Sequence, residues 1–333
     1  MNVPLRALLQ RTSRSFYLTL RVLPGSVRHQ IGLAYLLART TDTIADTELV
    51  PVAQRLAALD EVRRFIRGGE SSPAGFAELI QTQSSTTERE LLEQREQVLG
   101  LLQSTTSPAD RQLIGELLEV IISGQELDLR RFAGGSSERI VALLSENELD
   151  DYTYRVAGCV GGFWTKICRA HVFPRAPLDD ARLLADSVRF GKGLQLVNIL
   201  RDLPADLRKG RCYLPEAALA GVGLRPTDLR DPAREKQLRP LYNRYLELAE
   251  AHLAAGWAYT NSLPWRCVRV RLACAWPVLI GVKTLGRLRA ENPLDPARPI
   301  KITRAEIRGV IWRSALLYPL PRAWSGLAPL PKK

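Results

Sequence analysis

Tyr35-Leu-Leu-Ala-Arg39-Thr-Thr-Asp42-Thr-Ile-Ala-Asp46 decides how this chain is read. On a helix, positions 35, 39, 42 and 46 are four, three and four residues apart and line one face. That face carries a phenol, a guanidinium and two carboxylates inside an apolar stretch. Carboxylates at i and i+4 repel each other, and a pair set in apolar surroundings calls for a compensating cation. A second stretch repeats the pattern: Gln195-Leu-Val-Asn198-Ile-Leu-Arg201-Asp202-Leu-Pro-Ala-Asp206. Here 195, 198, 202 and 206 share a face, with Arg201 alongside. Pro204 has no N–H for the Leu200 carbonyl and disfavours helix at Leu203. A kink or helix end near Asp202 is therefore expected, with Asp206 beyond the break.

A lone pair of aspartates one turn apart is most often a solvated acidic face. Two such pairs, each on an apolar helix with an arginine nearby, point to a hard divalent cation. Mg²⁺ takes oxygen ligands in octahedral geometry and keeps several waters, and Mn²⁺ would suit the same oxygens. The chemistry this permits is departure of diphosphate from an allylic carbon, with Mg²⁺ and Arg or Lys stabilising the charge that grows on the leaving group. No protein nucleophile is needed, and no convincing Ser/His/Asp or Cys/His set is present.

Outward from these stretches, helical periodicity dominates. Residues 27–45, 52–67, 87–103, 109–131, 149–168, 179–202, 238–261 and 266–290 all have helical spacing. Breakers fall between them, at Gly68-Gly69, 71–75, Gly134-Gly135, 174–177, Gly210 and 293–299. Alternating runs joined by Asn-Gly or Asp-Gly turns are missing. The expectation is an all-α protein, one helical domain over 1–333, with a basic segment 299–333 at its periphery.

The chain has 333 residues, 46% hydrophobic and 25% charged, with a net charge of +12. Fourteen of its Lys and Arg but three of its Asp and Glu fall in 265–333, a balance of +11. Such an end suits phosphate, an acidic membrane surface or nucleic acid, or is simply a solvated surface. A basic helical module that binds membrane or RNA is thus the alternative from another class. No RNA-recognition motif or interleaving of aromatic and basic residues supports the RNA version, and no nucleic-acid partner is expected. The five cysteines include no CxxC spacing and the three histidines are scattered, which argues against a disulfide framework or a zinc site. The N-terminus has no long apolar core of a signal peptide, and no run of about 18 apolar residues occurs. A monomeric cytoplasmic protein is expected, or one peripheral on the inner face of the membrane. Residues 307–320 mix Ile, Val, Trp, Leu and Tyr with Arg308 and Arg313; they suit either a last core helix or a helix lying on an anionic bilayer.

Several ordered blocks resemble the squalene/phytoene synthase family, the head-to-head prenyl diphosphate synthases. Ser13-Arg14-Ser15-Phe16-Tyr17 is similar to its N-terminal block, and Asp42–Asp46 to its first aspartate motif. Tyr152-Thr-Tyr-Arg-Val156-Ala157-Gly158-Cys-Val-Gly161 is similar to its YxxxVAGxVG block. The stretch from Gly193 to Asp206, followed by Arg211-Cys-Tyr213-Leu-Pro215, is similar to its second motif and flap. The resemblance spans about 12–308 and implies a helical bundle with a central cavity. It implies that Asp42, Asp46, Asp202 and Asp206 hold Mg²⁺ with help from Asn198. Arg14, Arg39, Arg201 and Arg211 would contact diphosphates, Tyr35 and Tyr152 would sit near the reacting carbons, and Gln195 would line the cavity. Family members often carry a glutamate before the last aspartate of each motif, where this chain has Ala45 and Ala205.

Within the family, three features favour a squalene synthase that joins two farnesyl diphosphates and reduces the product with NADPH. Threonine follows Asp42, where phytoene synthases more often have aspartate. Arg271-Leu-Ala-Cys274-Ala-Trp-Pro277-Val-Leu-Ile-Gly281 resembles the CxxP segment of squalene synthases. Pro299-Ile-Lys301-Ile-Thr-Arg304 resembles their basic segment for diphosphate and NADPH phosphates. Dehydrosqualene or phytoene formation, without reduction, is the nearest alternative. Phe16, Tyr17, Phe163, Trp164 and Trp276 offer π faces to cations, although core packing is the commoner role for such rings.

Overall fold

Apolar residues at three- and four-residue spacing make most of the chain helical in the computed structural model, which describes residues 3–12, 16–69 and 75–330. Two compact units emerge, Met1–Arg130 with Phe163–Arg175, and Arg131–Gly162 with Ala176–Lys333. The first is built on α1 (Val3–Thr12), α2 (Phe16–Val22), α3 (Gly25–Asp46), α4 (Val52–Ile66), α5 (Ala77–Gln81), α6 (Thr86–Glu93), α7 (Arg95–Thr105) and α8 (Pro108–Arg131). Helix α3 buries Ile31, Leu33, Leu36, Leu37 and Ile44 and packs against α4, α6 and α7. The single helix expected over 87–103 is two, meeting at Gln94. Arg95 is turned into the core there: it donates to the Leu92 carbonyl at 3.1 Å and lies 4.2 Å over the Phe76 ring.

The second unit contains β1 (Val141–Ala142), α9 (Glu146–Thr153), a π-helical segment (Tyr154–Gly158), the start of α10 (Cys159–His171), α11 (Asp180–Arg208), β2 (Arg211–Cys212) and α12 (Glu216–Ala220). Two 3-10 turns then lead to α13 (Glu235–Ser262), α14 (Val268–Ala290), α15 (Arg304–Leu317) and α16 (Pro321–Ser325). The strands are two residues each and pair in parallel, Val141 with Arg211 and Ala142 with Cys212. The helix expected over 149–168 is interrupted by the π segment, which takes an extra residue per turn.

Helix α11 is the axis of this unit and packs most extensively on α13. Its approach to the π segment and α10 is backbone to backbone. A Cβ on Gly161 would lie 1.9 Å from the Ser187 carbonyl oxygen, and one on Gly191 2.2 Å from that of Ala157. Only glycine fits at either crossing.

The expected break at Pro204 does not occur: α11 runs without interruption to Arg208, carrying Asp206 on the same helix as Asp202. The reason lies on α13. The Leu200 carbonyl, which a Pro204 N–H would have satisfied, accepts from the Tyr242 hydroxyl at 2.9 Å. Tyr242 is fully buried, and burial pushes its phenol up, so it remains a donor. An external donor thus replaces the missing backbone bond.

The segment Arg271–Gly281 packs the C-terminal helices. Arg271 is 2% exposed; it donates to the carbonyls of Asn261 and Leu263 at 3.0 and 2.6 Å. Its guanidinium lies 4.7, 5.8 and 5.5 Å from the rings of Trp265, Tyr318 and Trp324. Trp276 donates its indole N–H to Ser314 at 3.0 Å, seating α15 on α14.

Candidate active site

In the first unit, α3 presents Tyr35, Arg39, Asp42 and Asp46. The Tyr35 hydroxyl donates to the Thr12 carbonyl at 3.2 Å, and Arg39 pairs with Glu88 at 2.5 Å. The two carboxylates differ: Asp42 is half-buried and Asp46 exposed. Asp42 Oδ1 accepts from the Gln125 amide of α8 at 2.5 Å. Burial, and then the Asp46 charge, push the Asp42 carboxyl up to about 6, against the opposing pull of Arg39 and the Gln125 hydrogen bond. Gln125 Oε1 is buried with no hydrogen-bond partner among the described residues. A crowded carboxylate, a second one turn away and an unsatisfied amide oxygen form a hard-oxygen donor set that fits a divalent cation.

In the second unit, α11 presents Gln195, Asn198, Arg201, Asp202 and Asp206, all half-buried. Arg201 grips its neighbour Asp202 by two bonds, Nε to Oδ1 at 2.8 Å and Nη2 to Oδ2 at 2.5 Å. That pairing, with the Asp206 charge behind it, holds the guanidinium more firmly protonated. The fork keeps the donors of Nη1 for another anion. Tyr152 is buried and stacks on Tyr213 at 4.5 Å, and Phe132 meets Tyr213 edge-on at 5.3 Å. Arg211 opens β2, where its backbone is fixed by the pairing with Val141. Beside it, burial and the charges of Asp206 and Glu216 push the Cys212 thiol up to about 12, so it is no nucleophile.

Lys301 and Arg304 are exposed. Their segment is anchored by Arg287, which donates to the Lys301 carbonyl and forks onto Glu306 at 2.9 and 3.0 Å. Glu306 also closes a capping box with Thr303 at the start of α15. Arg14 and the Phe16 side chain lie outside the described residues.

Among the described residues, no group of three or more His, Cys, Asp or Glu gathers as a closed metal site. Each aspartate pair instead offers few protein oxygens. That suits Mg²⁺, which is commonly bound by one or two carboxylates plus substrate phosphates. Spacing identified the aspartates but not Gln125 or Glu88: a glutamine and a glutamate on other helices carry no motif of their own.

Residues 9–306 match the squalene/phytoene synthase family. The presqualene diphosphate synthase of Rhodopseudomonas palustris is 29% identical over 311 residues, covering 91% of this chain and 93% of that one. That of Zymomonas mobilis is 30% identical over 247 residues, covering 73% and 70%. In fold, the chain is similar to TcSQS in complex with the ligand BPH1237, with a TM-score of 0.75 at 22% identity over 93% of this chain and 84% of that one. It is also similar to squalene synthase HpnC of Alicyclobacillus acidocaldarius, with a TM-score of 0.61 at 21% identity over 87% and 96%. The chain belongs to the squalene/phytoene synthase family. It is a prenyltransferase with the all-helical fold of that family.

Proposed function

We propose that this enzyme condenses two farnesyl diphosphates head to head into presqualene diphosphate. The observation that carries this reading is the near full-length likeness to a presqualene diphosphate synthase, together with an aspartate pair on each of two helices. In this reading Asp42 and Asp46, and likewise Asp202 and Asp206, hold Mg²⁺. When bound, Mg²⁺ neutralises the negative charge that grows on a departing diphosphate. Arg39 and Arg201 add fixed positive charge; each is kept oriented by a carboxylate while retaining donors for the diphosphate. Arg14 and Arg211 fill the same role. The Tyr152–Tyr213–Phe132 stack presents an electron-rich apolar surface to the allylic cation. Tyr35 stands on the face of α3 that bears the first pair, while Gln195 and Asn198 stand on that of α11.

Incubation with labelled farnesyl diphosphate and Mg²⁺, without a nicotinamide cofactor, tests the reading. Presqualene diphosphate and inorganic diphosphate are expected, and no release of diphosphate would overturn it. Turnover of geranylgeranyl diphosphate in its place would assign the chain to phytoene formation.

A second reading continues the reaction to squalene with NADPH. Its support is the exposed Lys301 and Arg304, two cations without an acidic side chain bound to them among the described residues, at the position of the basic segment that resembles squalene synthases. Squalene forming only on addition of NADPH would establish it. Dehydrosqualene formed with or without NADPH would remove it.

A further inference from the structure

Helix α15 has two unlike faces. Val310 and Ser314 are buried, with Ile307, Ile311 and Leu317 half-buried beside them. The opposite face carries Arg308, Trp312 and Leu316 at four-residue intervals, and Leu320 follows just beyond the helix. Trp312 is 68% exposed, Leu316 70% and Leu320 56%. Three large apolar side chains in one outward row are unusual on a soluble surface, where such residues are normally scattered singly. They are not left over from a poorly packed helix. The inner face is held by the Trp276–Ser314 bond, and Tyr318 is stacked on Trp265 at 4.5 Å with its hydroxyl bonded to the Trp265 carbonyl. Trp265 is itself 41% exposed.

The charged residues of α15 and the stretch after it are basic but for Glu306. Arg304, Arg308, Arg313 and Arg322 are exposed, as are Arg266 and Arg269 beside Trp265. The one acidic residue within 304–330, Glu306, is engaged by Arg287 and Thr303. Apolar side chains with tryptophan among them, ringed by arginines, match the interfacial zone of an anionic bilayer. There indoles settle at headgroup depth and basic side chains meet lipid phosphates. No helix is long and apolar enough to cross a membrane among the described residues.

We propose that the outward face of α15, with Trp312, Leu316 and Leu320 flanked by Arg308 and Arg313, is a docking surface for an anionic lipid bilayer. It holds the enzyme against the membrane without crossing it. The proposal does not depend on which prenyl product is made. A neutral bilayer would gain the apolar insertion but not the charge attraction, so binding is selective for anionic lipid.

Co-sedimentation of the full chain with sucrose-loaded vesicles tests this, comparing pure phosphatidylcholine with phosphatidylcholine containing phosphatidylglycerol. Binding to the anionic vesicles is expected, weakening as salt is raised. Each of Arg308→Gln and Arg313→Gln should lower partitioning about fivefold, from the typical contribution of one basic residue near such a surface. Trp312→Ala with Leu316→Ser should lower it tenfold or more while leaving the circular dichroism spectrum and the elution volume unchanged. Absence of binding to anionic vesicles would overturn the proposal, as would binding indifferent to all four substitutions. So would a concentration-dependent dimer that the Trp312→Ala variant abolishes, since the face would then belong to a second copy of the chain.

Discussion

The two aspartate helices use the same spacing and solve opposite problems. On α3 the backbone is regular and the charges are in conflict: Asp42 is half-buried beside Asp46 and is held by a neutral amide. On α11 the charges are balanced, because Arg201 forks onto Asp202, and the conflict is in the backbone, where Pro204 removes a hydrogen bond that Tyr242 replaces. On α3 the conflict is between charges, which a bound cation would relieve; on α11 it is in the backbone, and a neighbouring helix relieves it. A motif that looks duplicated in sequence is held in place by different physics at its two copies.

The largest effect that would sharpen this contrast is on turnover. Asp42→Asn and Asp202→Asn should each lower kcat about a hundredfold or more, as expected when a group stabilising the leaving charge is removed. If either variant releases diphosphate at the native rate, that pair holds no metal. In stability the two should part. Burial and the neighbouring Asp46 charge push the Asp42 carboxyl up to about 6, above the ordinary aspartate range, so its protonated form favours the fold. That contribution is full below the unfolded value and is lost as pH rises through about 6. In chelator at pH 7.5, Asp42→Asn should therefore be more stable than the native chain by roughly 2 kcal/mol, the gain vanishing near pH 4. Asp202→Asn breaks a partly exposed pair and should cost no more than about 1 kcal/mol. Denaturant melts at the two pH values distinguish these outcomes, and equal behaviour of the two variants would break the comparison.

The backbone half of the contrast is tested at Tyr242. Tyr242→Phe strands the Leu200 carbonyl in the core and should cost about 1–3 kcal/mol. Adding Pro204→Ala restores the helical N–H, so the double variant should recover most of that loss. If the two changes simply add, the hydroxyl is not the substitute donor. The smallest effect is expected at Gln125. Gln125→Leu removes a hydrogen bond that favours the Asp42 carboxylate, so the carboxyl should titrate higher still. In chelator, the loss of stability with rising pH described for Asp42 should then extend to higher pH, a change of less than about 1 kcal/mol in denaturant melts.

The face of α3 and the helical class were legible because they depend on spacing alone, and a period of 3.6 survives without knowledge of neighbours. Pro204 was misleading for the complementary reason: the donor that rescues it stands 42 positions from Leu200. Gln125 is 83 positions from Asp42 and lies in an ordinary apolar helix, so nothing local announces it. For 307–320 the spacing left a core helix and a bilayer helix both open; α15 buries one face and exposes the other, which depends on neighbours that the local sequence does not name. The π segment was invisible, since Tyr154-Arg-Val-Ala-Gly158 has no composition that separates bonds spanning five residues from bonds spanning four.

That segment also has a consequence for length. A π turn amounts to one residue inserted into an α-helix. A chain lacking one residue between Tyr154 and Gly158 would close into an unbroken α-helix, and the α9 turn just before the deletion would rotate by about 100° about the helix axis. Tyr152 would swing away from Tyr213 while Gly161 stayed locked on Ser187. A single-codon deletion here would thus act as a change of gear, turning one aromatic ring out of its stack while leaving both aspartate pairs intact.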